Sequence, residues 1–180
     1  MIVVVDTNVA VVANGRDSYP LGCIEACIDR LHEIQTRGQI VLDNVRLILT
    51  EYINNLSLTG QPGVGDAFLK WVLINQNNPE RCPQVPIHPK SQSENDFLEF
   101  PAHPGLARFD PSDRKFVAVS WAHPDRPPIL QALDSKWWGF KDVLRECEIT
   151  VEFLCPEDIK KLYQSKKKPK SVKQRRGSRP

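Results

Sequence analysis

The chain has 180 residues, 41% of them hydrophobic and 26% charged, which is typical of one folded domain and excludes a disordered or fibrous protein. No apolar run reaches the roughly 18 residues that a membrane helix needs, so we expect no membrane span. The net charge of +2 hides a division, because eight of the 24 basic residues and none of the 22 acidic residues lie within 166–179.

The first elements predicted along the chain are a buried strand and three helices. Residues 2–5 are apolar and β-branched at every position, which is typical of a strand covered on both faces in a parallel sheet. Apolar residues three and four positions apart predict helices over 21–37 and about 45–58, with a short strand at 40–42 between them. A further helix is expected over about 64–74.

A proline-rich segment interrupts this alternation. Six prolines lie between residues 77 and 108, where we expect an irregular insertion of loops with one hairpin. After it, Asp110 and Pro111 have the cap and first-turn positions of a helix. The remaining predicted elements are a strand over 129–133, a helix over 138–147, a strand over 151–154 and a helix over about 156–163.

The order of these elements defines the fold class and the domain. Strands and helices alternate, which predicts an α/β fold with a mainly parallel central sheet. We expect one domain over 1–164, including the insertion, and a disordered basic tail over 165–180 that is too poor in apolar residues to fold.

The cysteines and the start of the chain indicate the compartment. The five cysteines are odd in number and include no CxxC pair, so we expect reduced thiols rather than a disulfide framework or a zinc site. Cys23 and Cys27 are expected to be small buried apolar residues. The first apolar run ends after four residues at Asp6, unlike a signal peptide, and we therefore expect a cytoplasmic protein.

Acidic residues at strand ends are the first candidates for chemistry. Open parallel sheets bind ligands beyond the carboxyl ends of their strands. Asp6 ends the first predicted strand and Asp134 ends the strand over 129–133. Either one alone is commonly a helix cap, and Asp113 and Glu51 fit ordinary first-turn and surface positions of their helices. The occurrence of two acids at strand ends favours a functional site.

Four segments together resemble the PIN domain family, the PilT N-terminus-like metal-dependent ribonucleases that include the VapC-type toxins. They are VVVDTNV at 3–9, LTEY at 49–52, DRKF at 113–116 and LDSKW at 133–137. The first segment is the most specific, and the four together span most of residues 1–155.

The resemblance implies a PIN-like three-layer α/β/α fold and an endoribonuclease that hydrolyses RNA phosphodiester bonds. The implied catalytic residues are Asp6, Glu51, Asp113 and Asp134, with Asp6, Asp113 and Asp134 as ligands of Mg²⁺ or Mn²⁺ and Asp110 as an extra acid. Thr7 and Asn8 are expected to bind beside the first acid and to contact substrate.

The residue types fit this chemistry without the family. Mg²⁺ and Mn²⁺ prefer oxygen ligands, and carboxylates held close together repel one another until a cation neutralises them. One or two such ions activate water and stabilise an in-line displacement at phosphate. The four histidines show no metal-ligand spacing, and this chemistry does not need them.

Basic residues are the candidates for substrate binding. Arg114 and Lys115 are expected to contact RNA phosphate, although their positions also suit ordinary exposed helix residues. The tail, with Lys166, Lys167 and Lys168, is expected to bind phosphate with little sequence preference. A localisation or solubility tag, or a partner for the acidic body, is the alternative role of the tail.

Two other functions stay open. One is a non-catalytic PIN-like module that binds RNA or a protein. The other is an aspartyl-phosphate enzyme with Asp6 as nucleophile. Against it, haloacid-dehalogenase-like phosphatases have a second aspartate where this chain has Asn8, and response-regulator receivers have an acidic pair where this chain has one acid.

The nuclease hypothesis also implies partners. RNA is the substrate, and the toxin of a toxin–antitoxin pair would bind an antitoxin protein and form a homodimer. RNA processing and defence are alternative roles, and no membrane partner is expected.

Overall fold

The computed structural model describes residues 1–15, 18–90 and 93–167. The helices are α1 (Thr7–Ala13), α2 (Leu21–Arg37), α3 (Leu47–Asn55), α4 (Val64–Asn75), α5 (Arg114–Ala122), α6 (Ser135–Glu146) and α7 (Pro156–Lys167). The strands are β1 (Ile2–Val5), β2 (Gln39–Ile40), β3 (Leu42–Asp43), β4 (Gln84–Val85), β5 (Pro89–Lys90), β6 (Ser93–Phe97), β7 (Ile129–Gln131) and β8 (Val151–Phe153). Among the described helices, none has the length and apolar character required to cross a membrane.

The central sheet has the strand order β2-β1-β7-β8, and each neighbouring pair is parallel. The α/β fold with a mainly parallel central sheet is therefore confirmed. Val3 and Val4 are fully buried, as the apolar run at 2–5 predicted. Val5 lies opposite Leu130 in the register of β1 and β7, so the carboxyl ends of these two strands lie side by side.

The helices differ from their predicted bounds in ways that burial explains. The bounds of α2 agree with the prediction, and one stripe of this helix is buried, although Leu21 at its start is exposed. Helix α3 is shorter than predicted, because Val45 and Leu58, which were expected to extend it, are exposed. Helix α1 was not predicted, since five of its seven residues are buried and it has almost no polar face to give a helical period.

The segment over 77–108 is more ordered than expected. The predicted hairpin is confirmed, because β5 and β6 pair antiparallel. In addition, β4 pairs parallel with β3, which no sequence pattern indicated. Phe97, Phe100 and Leu106 are buried, so this segment contributes to the core.

Helix α4 packs against the backbone of α1 at a glycine. A Cβ atom on Gly65 would lie 1.9 Å from the carbonyl oxygen of Ala10. Beside this contact, the amide of Asn14 donates to Asp66 at 3.0 Å, and its carbonyl accepts from the Asp66 backbone N–H at 3.1 Å. Because Gly65 has no side chain, α1 and α4 can pack this closely.

The expectation of reduced thiols is wrong for two cysteines. Cys23 of α2 and Cys155, the residue before α7, form a disulfide with their Cα atoms 5.3 Å apart. An odd cysteine count without a CxxC pair does not reveal a bond between residues 132 positions apart. Cys27 lies beside this bond as a buried free thiol, and burial raises its pKa to about 12. Cys23 and Cys27 are both buried, as predicted.

Candidate active site at the carboxyl ends of β1 and β7

Asp6 and Asp134 lie at the same edge of the sheet because β1 and β7 are neighbours. The Asp6 backbone N–H donates to the carbonyl of Leu130 at 3.1 Å. The side-chain oxygen of Asn8 accepts from the backbone N–H of Leu133 at 2.7 Å. This bond connects the first turn of α1 to the residue before Asp134. Strand β7 itself ends at Gln131, three residues before Asp134.

Both acids are helix caps, and both keep a free oxygen. One oxygen of Asp6 accepts from the N–H of Asn8 at 2.8 Å, and one oxygen of Asp134 accepts from the N–H of Lys136 at 3.0 Å. Within the described residues, the second oxygen of each carboxylate accepts no hydrogen bond. The capping role therefore holds each side chain in place without using up its capacity as a ligand.

The position of Glu51 on α3 is fixed by hydrogen bonds made by Asp43 and by Tyr52. The carboxylate of Asp43 accepts from the N–H groups of Leu47 at 2.6 Å and Ile48 at 2.8 Å. The hydroxyl of Tyr52, the neighbour of Glu51, donates to the carbonyl of Val5 at 2.5 Å. Sequence reasoning missed the buried Asp43, whose one signal is an acid shortly before an apolar helix.

Asp113 is left without a capping bond of its own. Asp110 caps the short 3-10 helix Pro111–Asp113 and accepts from the N–H and hydroxyl of Ser112 at 3.1 and 2.8 Å; its position as a cap agrees with the sequence prediction. Asp110 is also paired with Lys136. The hydrogen bonds from Lys136 and Ser112 lower the pKa of Asp110 to about 2.

The electrostatics link all four predicted acids. Burial raises the pKa of Asp6 well above its ordinary value, and the charges of Asp113, Glu51 and Asp134 raise it further. The pKa of Asp113 is raised to about 7 by burial, then by Asp134, Asp110 and Glu51, while Lys115 lowers it. The structure therefore brings the four acids within range of one another, although they come from separate parts of the chain.

The spacing of the acids limits how an ion could bind. In the described residues, the one group of three acidic, histidine or cysteine side chains whose ligand atoms all lie within 4.8 Å is Cys23, Cys27 and Cys155. Oxygens that bind one Mg²⁺ directly are at most about 4.2 Å apart, twice the usual bond length. Three of the acids therefore contact one ion directly only after side-chain rotation, whereas two acids with bridging waters need less movement.

The donor chemistry of the site nevertheless fits a hard divalent cation. The four acids offer carboxylate oxygens, which are the ligands that Mg²⁺ and Mn²⁺ prefer. The hydroxyls of Thr7 and Ser135, which directly follow Asp6 and Asp134 in the sequence, are buried and have no hydrogen-bond partner among the described residues. Unpaired buried oxygens beside repelling carboxylates are an arrangement that a cation with its waters would stabilise.

The predicted substrate-binding basic residues have different surroundings. Arg114 is bonded to the insertion: its guanidinium pairs with Asp96 at 3.0 Å, donates to the carbonyls of Ala107 and Phe109, and lies over the ring of Phe100. It holds that segment on α5 and is largely buried. Lys115 pairs with Glu51 inside the site.

The tail lysines are only partly within the described structure. Lys166 is exposed near the end of α7, which continues four residues beyond the predicted end of that helix. The side chain of Lys167 and all of Lys168 lie outside the described residues. Phosphate binding by these lysines therefore stays a prediction.

No protein family model matches the chain, and neither a curated protein nor a solved structure is significantly similar to it.

Proposed function

We propose that this protein is a PIN-like, Mg²⁺- or Mn²⁺-dependent endoribonuclease that hydrolyses phosphodiester bonds in RNA. The observation that carries the proposal is the pair Asp6 and Asp113. These two acids are 107 positions apart in the chain, and burial and neighbouring carboxylates raise the pKa of both. A cation bound beside such acids favours their ionised forms, so their surroundings are those of a cation site. The parallel sheet with helices is also consistent with the three-layer α/β/α arrangement that the PIN-like hypothesis requires.

In this mechanism Asp6, Asp113 and Asp134 would hold the ion, and Glu51 would complete the acidic wall. The ion would supply positive charge for the phosphate oxygens and make a nearby water more acidic. The capping bonds of Asp6 and Asp134 orient their carboxylates for this role. The bond from Leu133 to Asn8 keeps the two strand ends at a fixed separation.

A groove beside the acids suits an unpaired nucleotide. It has a volume of about 430 Å³, and its lining includes Asn8 and Leu133, which lie close to two site acids, together with Tyr19, Leu162 and the ion pair of Lys161 with Asp158. Apolar and aromatic surface is the chemistry on which an unpaired base stacks. This lining favours single-stranded RNA as the substrate.

The test is RNA cleavage by a variant that loses one ligand charge. Asp6→Asn keeps the oxygen that accepts from the Asn8 N–H, so the fold should persist. Cleavage of a labelled single-stranded RNA with Mn²⁺ should fall by about two orders of magnitude or more, equal to about 3 kcal/mol of transition-state stabilisation. Asp142→Asn, an exposed acid paired with Lys141, is the matched control and should cleave like the wild type. Equal rates for Asp6→Asn and the wild type would falsify the assignment.

A toxin role within this function is tested separately. Expression of the wild type in a bacterial host should arrest growth, and Asp6→Asn should not. The toxin role also implies an antitoxin partner, a homodimer and a cytoplasmic location. A nuclease that leaves growth unaffected points to RNA processing or defence.

The non-catalytic PIN-like module is distinguished by its behaviour towards metal. It predicts RNA binding without cleavage, and no binding of Mn²⁺ at millimolar concentration. The nuclease predicts Mn²⁺ binding that Asp113→Ala abolishes. Both measurements use the same purified protein, so one preparation decides between the two.

A further inference from the structure

A buried lysine lies among the acids of the site. Lys115, in the first turn of α5, is only 9% exposed. Its ammonium forms an ion pair with Glu51 of α3 and donates to the backbone carbonyl of Ser112. It also lies 4.8 Å from the centre of the Phe116 ring. Because lysine is rarely buried unless its charge is paired, these contacts fix the ammonium in one position.

The acids of the site fall into two groups according to their partners. Glu51 already has a cation, the ammonium of Lys115. Asp6, Asp113 and Asp134 form no ion pair with a lysine, arginine or histidine of the described residues. The ammonium of Lys115 is close enough to these three acids to lower the pKa of Asp113.

The balance of charge favours one divalent ion over two. The three unpaired carboxylates carry three negative charges, and one divalent ion leaves one of these uncompensated. A second ion would make this cluster net positive beside a buried ammonium, which electrostatic repulsion opposes. Glu51 would also have to break its pair with Lys115 before it could bind that ion.

We propose that Lys115 takes the place of a second metal ion: it holds Glu51 away from the ion, and Asp6, Asp113 and Asp134 bind a single Mg²⁺ or Mn²⁺, directly or through bridging water. The inference rests on the proposed function, because it takes these three acids as the ligands. Lys115 is then a positioning residue, and it sets the number of ions that the site accepts.

Counting bound Mn²⁺ tests this assignment. Isothermal titration calorimetry, together with the electron paramagnetic resonance signal of free Mn²⁺, should give one ion per chain for the wild type. Lys115→Met removes the charge and releases Glu51, so it should bind two ions, the first at least about tenfold more tightly. Lys141→Met, which removes a lysine paired with Asp142 on α6, is the matched control and should bind one ion with unchanged affinity.

Two further variants keep the test decisive if Lys115→Met does not fold. Glu51→Gln should still bind one ion, with an affinity within about threefold of the wild type, whereas Asp113→Asn should weaken binding more than about tenfold. The double variant Lys115→Met with Glu51→Gln removes both charges of the pair and should also bind one ion.

Several results would overturn the inference. If the wild type binds two ions, Lys115 does not take the place of a second ion. One ion with unchanged affinity in folded Lys115→Met means that the lysine is purely structural, and equal weakening by Glu51→Gln and Asp113→Asn makes Glu51 a ligand. A wild type that binds no Mn²⁺ at millimolar concentration refutes the proposed function instead, so the two failures are distinguishable.

Discussion

Removing the carboxyl of Asp113 should stabilise the metal-free protein, and only above about pH 4. The folded-state pKa is raised to about 7, against an ordinary value of 3.8. Between these values the folded protein holds a proton that the unfolded chain has released, so stability falls as the pH rises. At about 1.36 kcal/mol per pKa unit, the loss from pH 4 to 8 is about 3 to 4 kcal/mol for this partly exposed group.

Urea unfolding in EDTA measures this effect as a difference between two proteins. Asp113→Asn should match the wild type near pH 4 and exceed it by about 3 to 4 kcal/mol at pH 8, because asparagine does not titrate. Added Mn²⁺ should narrow the gap at pH 8, since the ion stabilises the wild type more. A difference that changes by less than about 0.5 kcal/mol between the two pH values would refute the reasoning.

A neighbouring acid supplies a control of opposite sign. Hydrogen bonds from Lys136 and Ser112 lower the pKa of Asp110 to about 2, so its ionised form stabilises the fold. That contribution is complete above the unfolded value of 3.8 and is lost as the pH falls through 2. Asp110→Asn should therefore be less stable than the wild type at pH 8, by about 1 to 2 kcal/mol.

The remaining predictions concern the framework around the site. Cys155→Ser should lower the free energy of unfolding by about 3 to 5 kcal/mol. Thiol titration of the unreduced, denatured wild type should find the three free cysteines, and finding five free thiols would contradict the disulfide. Gly65→Ala should cost at least about 3 kcal/mol because the added Cβ would contact Ala10. Gly22→Ala should be neutral or stabilising, since no described atom lies within 4 Å of the added Cβ. Similar melting temperatures of the two variants would contradict the contact with Ala10. Tyr52→Phe should cost about 1 to 2 kcal/mol in urea unfolding through its lost hydroxyl bond, and an unchanged midpoint would count against that bond.

Local patterns in the sequence were sufficient to predict the parallel sheet. The apolar run at 2–5 specifies a buried strand and the apolar period over 21–37 specifies a helix, and both predictions are confirmed. The strand-end position of Asp6 follows from the same run. Since parallel neighbours align their carboxyl ends, its proximity to Asp134 required only that β1 and β7 be adjacent.

Features that depend on distant pairs could not be predicted. The pairing of Lys115 with Glu51 joins residues 64 positions apart, and nothing in the segment 113–116 distinguishes a buried lysine from an exposed one. The same holds for the pairing of Arg114 with Asp96 of the insertion. Helix α1 shows a further limit, because an element buried on nearly all sides has no amphipathic period to detect.

The disulfide between Cys23 and Cys155 closes most of the described chain into one covalent ring. A protease that cuts anywhere inside that ring, including the hairpin of β5 and β6, leaves both fragments on one molecule. Such a nicked protein would migrate as a single species on a non-reducing gel and separate into two only after reduction. Backbone cleavage inside the ring would therefore not by itself release the strand that precedes Asp6 from the helix that follows Asp134.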